Sequence, residues 1–233
     1  MFEPAIAWLA TLAVALVGLV ARALLAVLVV GALIVPLALL VLGWEWSRRL
    51  ADRLAGLTRV GHVFQRAGCY YTPGHLWLRP RQAGAVRVGL DDVAHRVLPD
   101  IGAISLAAAG TRLEAGDPMA QIHCATGVVT LRAPVAGTVA SVNDRLERQP
   151  SILHADPYRR AWLVDLEPDE RDYEDLPSGE EARRWLAIED ARLTDFFERQ
   201  LGIAAADGGE LVLPPHTLLT HEQWQAARAA FLP

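Results

Sequence analysis

Pro118-Met-Ala-Gln-Ile-His-Cys-Ala-Thr-Gly-Val-Val-Thr-Leu-Arg-Ala-Pro-Val-Ala-Gly137 is the stretch whose reading decides the fold. Two β-like runs, Pro118–His123 and Gly127–Ala133, flank a short break. A third, Gly137–Val142, follows a proline- and glycine-bounded turn. Working outward, Leu76–Leu78, Ala85–Leu90 and Ile101–Leu106 have the same character. Gly, Pro and Asp fall between these runs at near-regular spacing. Short strands with regular turn signals predict an all-β sandwich or barrel.

The rest of the 233 residues is unevenly composed. Hydrophobic content is 52% and mean hydropathy is +0.22, high for a soluble chain. The excess sits at the N-terminus, where Arg22 is the only charged residue between Pro4 and Gly43. A membrane-spanning helix needs roughly 20 apolar residues. Two arrangements fit. In one, Pro4–Ala21 and Ala23–Trp44 form a helical hairpin turning at Arg22. In the other, a single transmembrane helix covers Leu24–Leu42 and the earlier segment lies on the surface or on a partner. The apolar run Ile6–Val20 has no polar face, which favours two spans. The anchor is assigned to residues 1–46. Trp44 and Trp46 fit an interfacial aromatic belt, and Arg48, Arg49, Arg53 and Arg59 mark the cytoplasmic side. No basic residue precedes the first span, so the segment reads as a retained anchor rather than a secretory signal. The expectation is a bacterial inner-membrane protein with a cytoplasmic soluble part.

Residues 47–68 are read as a juxtamembrane helix and linker. Leu50, Leu54, Leu57 and Val60 recur at helical spacing with arginines between them, predicting an amphipathic helix over Ser47–Val63.

All 22 basic residues are arginine, and the chain contains no lysine. That excludes Schiff-base chemistry, lysine–phosphate clamps and any prosthetic group amide-linked to a lysine. The net charge of −5 and the lack of a clustered basic face argue against nucleic-acid binding. Two cysteines, Cys69 and Cys124, are too few for a disulfide framework and point to a reducing compartment.

The order of the strand segments resembles the glycine cleavage H proteins. The matching pieces are His75-Leu-Trp-Leu, Val88-Gly-Leu-Asp-Asp-Val-Ala94, Leu98-Pro-Asp-Ile-Gly102, Gly110-Thr-Arg-Leu-Glu-Ala-Gly116, Ala133-Pro-Val-Ala-Gly137, Asp156-Pro-Tyr158 and Ala161-Trp-Leu163. Together they cover about Tyr71 to Pro168, within an assigned domain of 69–168. The resemblance implies a lipoyl-domain-like barrel-sandwich hybrid with a protruding carrier hairpin. It also implies a lipoyl-lysine eight residues before the proline of the Ala-Pro-Val segment. Counting eight back from Pro134 gives Thr126, within His123-Cys124-Ala125-Thr126. The family's Glu-Ser-Val-Lys-like run is replaced throughout, so no lipoyl group or other cofactor is expected.

His123, Cys124 and Thr126 are the candidate tip residues. A reactive thiol at Cys124 would need exposure and a lowered pKa; the plainer reading packs it as a small hydrophobe. His123, Cys124 and Cys69 fit no standard zinc spacing, and no metal is expected. No Ser-His-Asp set, glycine-rich phosphate loop or coupled carboxylate pair is present, so no catalytic residue is assigned. Asp91 is expected to cap the helix that follows, and His75 to belong to the packed edge of the domain.

The C-terminal extension, 169–233, is expected to be helical after an acidic linker over Glu167–Asp175. Ser178-Gly-Glu-Glu181 and Thr220-His-Glu-Gln223 read as capping boxes. The first helix carries an apolar stripe of Trp185, Ile188, Leu193, Phe196, Phe197 and Leu201. Ala204–Glu210 reads as a loop and Leu211–Leu213 as a short strand. The final helix places Trp224, Ala227 and Phe231 on one face. Trp185, Phe196, Phe197, Trp224 and Phe231 are either packed on the chain's own β-domain or form a docking surface for another subunit. The expected function is that of a non-catalytic, non-lipoylated adapter in a larger membrane complex, a redox complex being one candidate. The alternative is a persulfide or acyl carrier working through Cys124.

Overall fold

The computed structural model describes residues 56–98, 101–124, 127–201 and 219–232, together with 34–44, 46–47 and a few single positions nearer the N-terminus. The chain divides into two units, Met1–Leu54 and Ala55–Pro233. In the first unit, residues 34–44 are helical. Leu37, Leu39, Leu40, Val41, Leu42 and Trp44 are all more than half exposed there. Most of the expected membrane anchor lies outside the described residues. Among the described residues no helix is long and apolar enough to cross a membrane.

The second unit opens with an antiparallel hairpin, β1 (Leu57–Val60) and β2 (Val63–Arg66). This corrects the part of the amphipathic helix expected over Ser47–Val63 that begins at Gly56; residues 48–55 lie outside the described residues. The spacing of Leu57 and Val60 suits a helix, but Gly56 and Gly61 take φ of 70° and 60°, left-handed values that interrupt one. From Val63 onward burial alternates with the period of two that a strand imposes.

The strands that follow are β3 (Tyr70–Tyr71), β4 (Leu76–Pro80) and β5 (Val86–Leu90), then helix α1 (Asp92–Val97). Next come β6 (Ile101–Leu106), β7 (Arg112–Leu113), β8 (Pro118–Cys124), β9 (Gly127–Arg132) and β10 (Gly137–Val142). Short helices α2 (Asp144–Arg148) and α3 (Ile152–Ala155) lead to β11 (Trp162–Pro168). One sheet has the order β3-β4-β5-β11-β10-β7 and a smaller one β6-β8-β9. Every strand in the quoted stretch and the three read outward from it is present, with ends shifted by two residues at most. The sheets share a single core. Trp77, Leu78, Val88 and Leu163 from the larger sheet and Ile122, Val129 and Leu131 from the smaller are fully buried in it. Asp91 caps α1 as expected, its Oδ1 accepting the Ala94 N–H at 2.9 Å.

The acidic stretch expected to be a linker is ordered. It ends β11 and then forms a 3₁₀ turn over Asp172–Asp175 that buries Tyr173 edge-on to Tyr70, with ring centroids 5.4 Å apart. Helix α4 (Gly179–Leu201) begins after Ser178. Helix α5 (His221–Phe231) begins with the expected capping box between Thr220 and Gln223. The loop Ala204–Glu210 and strand Leu211–Leu213 lie outside the described residues.

The buried face of α4 is rotated from the expected stripe. It runs through Ala182, Leu186, Glu189, Asp190, Leu193 and Phe197, while Ile188 is 64% exposed. Asp190 explains the rotation. Its carboxylate accepts the His62 N–H at 3.1 Å in the β1–β2 turn. Gly61 leaves the room for this, because a Cβ there would collide with the Asp190 carboxylate.

The five aromatics considered as a docking surface are turned largely inward. Phe197, Trp224 and Phe231 are 2–4% exposed and belong to the chain's own core. Trp185 and Phe196 are half-buried against it. Phe196 meets Phe197 and Phe231 edge-on at 5.6 and 5.7 Å. Burying a large side chain contributes roughly 1.5–3 kcal/mol, and the chain's own barrel is near enough to receive these.

Gly61→Ala combines left-handed strain with loss of the Asp190 contact. It is expected to destabilise the domain by at least about 2 kcal/mol, seen as a lowered thermal midpoint of the full chain in mild detergent.

Candidate functional site

The β8–β9 hairpin is the most prominent feature of the small sheet. Its register pairs His123 with Val128 and Cys124 with Gly127. Only Ala125 and Thr126 then connect the strands, and both lie outside the described residues. The position reached by counting from Pro134 therefore falls in a two-residue connection, as an attachment point at a hairpin end requires.

Successive strand residues face opposite sides, and this separates the two tip candidates. Cys124 is half-buried on the side of Ile122, packed against the core. His123 lies on the other side with Gln121. The imidazole is therefore not directed at the thiol. Cys69 is 1% exposed, and burial pushes its thiol up to about 12. It lies at the entrance to β3 in the other sheet. His123, Cys124 and Cys69 are not brought together, and no group of three potential metal ligands exists among the described residues.

The reading of the sequence missed what stands beside the hairpin. Arg228 of α5 donates from Nη1 to the Val128 carbonyl at 3.2 Å. Gly127 takes φ of 138°, a value that L side chains rarely adopt, and the Arg228 guanidinium lies in ordinary contact with its position. The extension thus reaches the first residues of β9. Val128 remains 43% exposed beside this contact.

The same helix closes over a buried charge cluster. His75 is 2% exposed and has φ of 58°. Its Nδ1 lies 2.9 Å from Asp91 Oδ2, and its Nε2 lies 3.8 Å from a Glu189 oxygen. Trp185 and Phe231 flank the ring at 5.4 and 6.3 Å. Arg192 bonds Glu189 at 2.7 Å and stacks over Phe231 at 4.7 Å. Burial opposes charge on His75, but Asp91 and then Glu189 outweigh it and hold the imidazole above the ordinary histidine range. Local signals for two members existed: Asp91 as a helix cap and His75 as a packed edge residue. Glu189 gave none, because an acid on a helix ordinarily faces water.

These features define a small two-sheet β-domain that presents a tight hairpin end and is buttressed by its own C-terminal helices. The glycine cleavage H-protein family matches residues 69–188, and the chain belongs to it. Glycine cleavage system H protein 4 of Aquifex aeolicus is 36% identical over 118 residues, 50% of this chain and 68% of that protein. The H protein of Mycobacterium leprae is 39% identical over 97 residues, 42% of this chain and 74% of that one. The crystal structure of the Mycobacterium marinum H protein is 27% identical and covers 48% of this chain and 97% of that one, with a TM-score of 0.42. The family match extends beyond the segment the resemblance covered and includes the first half of α4.

Two outcomes follow from this geometry. Arg228→Ala removes one hydrogen bond worth about 0.5–1.5 kcal/mol, so amide hydrogen exchange should accelerate in β9 and leave β4 and β5 unchanged. The folded chain holds the His75 proton more tightly than the unfolded chain does. The resulting stability is complete below about pH 6.5 and is lost as pH rises through the higher folded value. The thermal midpoint should fall as pH rises above about 6.5, and His75→Gln should flatten that fall.

Proposed function

We propose that this chain is a membrane-anchored, non-lipoylated H-like subunit that serves as an adapter in a larger membrane complex. The observation that carries the reading is the absence of lysine from all 233 residues, in a family member that keeps the β8–β9 strand pair. An amide-linked arm has no residue to sit on, whatever register is chosen. The apolar N-terminal segment supports the membrane part of the proposal. Its described helix exposes leucines on every side, Leu37 at 63%, Leu40 at 71% and Leu42 at 61% among them. A helix apolar all round calls for a non-aqueous surrounding. The arginines after Trp46 favour a cytoplasmic β-domain. The thiol-carrier alternative is weaker, because Cys124 shares the core-facing side of its strand and His123 points away from it.

The test is purification of the full chain from its native membrane in mild detergent, followed by mass analysis of the chain and everything bound to it. The expected outcome is stable co-purification with other subunits, a chain of unmodified mass, and an assembly unaffected by Cys124→Ser. A covalent adduct on Cys124, with function lost in Cys124→Ser, would establish the carrier instead.

A further inference from the structure

His75 is linked to the hairpin by a continuous series of contacts that crosses both C-terminal helices. Its Nε2 lies 3.8 Å from a Glu189 oxygen on α4. Arg192, one turn further along α4, donates from Nη1 to that carboxylate at 2.7 Å. Arg192 Nη2 donates to the Ala230 carbonyl of α5, and the guanidinium stacks over Phe231 at 4.7 Å. Phe231 in turn flanks the His75 ring. One helical turn before it, Arg228 donates to the Val128 carbonyl of β9 at 3.2 Å. Glu189, Arg192, Arg228 and Phe231 all follow residue 188, where the family match ends.

The imidazole is the member of this series that changes charge near neutral pH. Asp91 faces it from the β5–α1 junction, Glu189 and Arg192 from α4, and uncharged Phe231 from α5. Asp92 is directed elsewhere, to the Phe64 N–H and Arg96. A protonated ring donates from both nitrogens, to Asp91 and toward Glu189. A neutral ring keeps one proton. Asp91 holds that proton at Nδ1, because its contact is the shorter one at 2.9 Å and its carboxylate is fully buried. Nε2 then turns a lone pair toward the Glu189 carboxylate. Glu189 is 7% exposed, so little water is at hand to separate the two acceptors.

We infer that His75 is a proton-operated catch for α5: the protonated ring seats Glu189 and Arg192, which hold α5 in place with Arg228 on β9, and loss of the proton releases α5 from the hairpin. Linkage gives the direction. Burial opposes the charge on His75, but Asp91 and Glu189 outweigh it and raise the folded value. Docking of α5 is therefore strongest below about pH 6.5 and weakens as pH rises through that higher value. Release frees the Val128 carbonyl at the edge of the small sheet, beside a side chain already 43% exposed. The inference rests on these contacts and not on the adapter or membrane reading.

Amide hydrogen exchange of the full chain in mild detergent tests the catch, with pH stepped upward from about 6 and each rate divided by its intrinsic value at that pH. Protection of α5 and of β9 should fall together, roughly fivefold or more, before β10 and β11 lose any. Glu189→Gln removes the acid on α4 that favours the charged ring, so both falls should begin at a lower pH. His75→Gln should abolish the step, and His62→Gln, at the imidazole 3.3 Å from Asp190, should leave it in place. If His75→Gln does not fold, the displacement in Glu189→Gln carries the test. Protection of α5 that falls only together with β10 and β11, a step unmoved by Glu189→Gln, or a step abolished by His62→Gln overturns the inference.

Discussion

The buried contact between His75 and Asp91 is the interaction on which the rest of the domain depends. The imidazole meets the Asp91 carboxylate at 2.9 Å, and the Asp91 N–H returns to the His75 carbonyl, also at 2.9 Å. The same carboxylate starts α1 through its bond to Ala94. One acid thus ties β4, β5 and α1 together at full burial. A non-glycine residue with positive φ costs of order 1–3 kcal/mol, and His75 is held in that conformation by contacts on every side. Glu189 approaches the ring's other nitrogen, so the position of α4 depends on the same imidazole. A charge buried this deeply is tolerable only while its partners stay, and loss of one partner typically costs about 3–5 kcal/mol. The C-terminal helices are therefore part of the domain's charge balance rather than an appendage to it.

That dependence bears on the hairpin. Helix α5 places Phe231 beside His75 and Arg228 on β9, so it connects the buried charge cluster to the hairpin end. A carrier arm needs an unencumbered attachment point, whereas here Arg228 of the last helix bonds one strand of the hairpin and no lysine is available. The family's scaffold is retained while its exposed end is partly engaged by the chain's own extension. Fold and activity are separable in this way because the sheets are held together by their own core residues.

Local signals carried much of the architecture. The strands of Pro118–Val142 were legible because each combines β-forming residues with Gly or Pro at its ends. The starts of α1 and α5 were legible because a cap acts within three residues of itself. The β1–β2 hairpin was not, since Leu50, Leu54, Leu57 and Val60 satisfy a helical period and the competing evidence is distant. Pairing with β2 and the approach of Asp190, 128 residues from His62, decide that segment. The aromatics of α4 and α5 could equally have faced a partner. Their burial depends on His75 and the barrel edge, which no window of the helices contains.

By itself the sequence determined that no lysine exists for an attached arm, that the N-terminus is strongly apolar, and that the centre is a series of short strands. Each is a property of residue identity or of near neighbours. Only the tertiary structure decided that Cys124 turns toward the core and away from His123, that Glu189 is buried against His75, and that Arg228 reaches the Val128 carbonyl. The physical reason is the same in each case. Burial and electrostatic pairing are set by residues far apart in the chain, and an acid, a thiol or an arginine carries no local mark of what it will face.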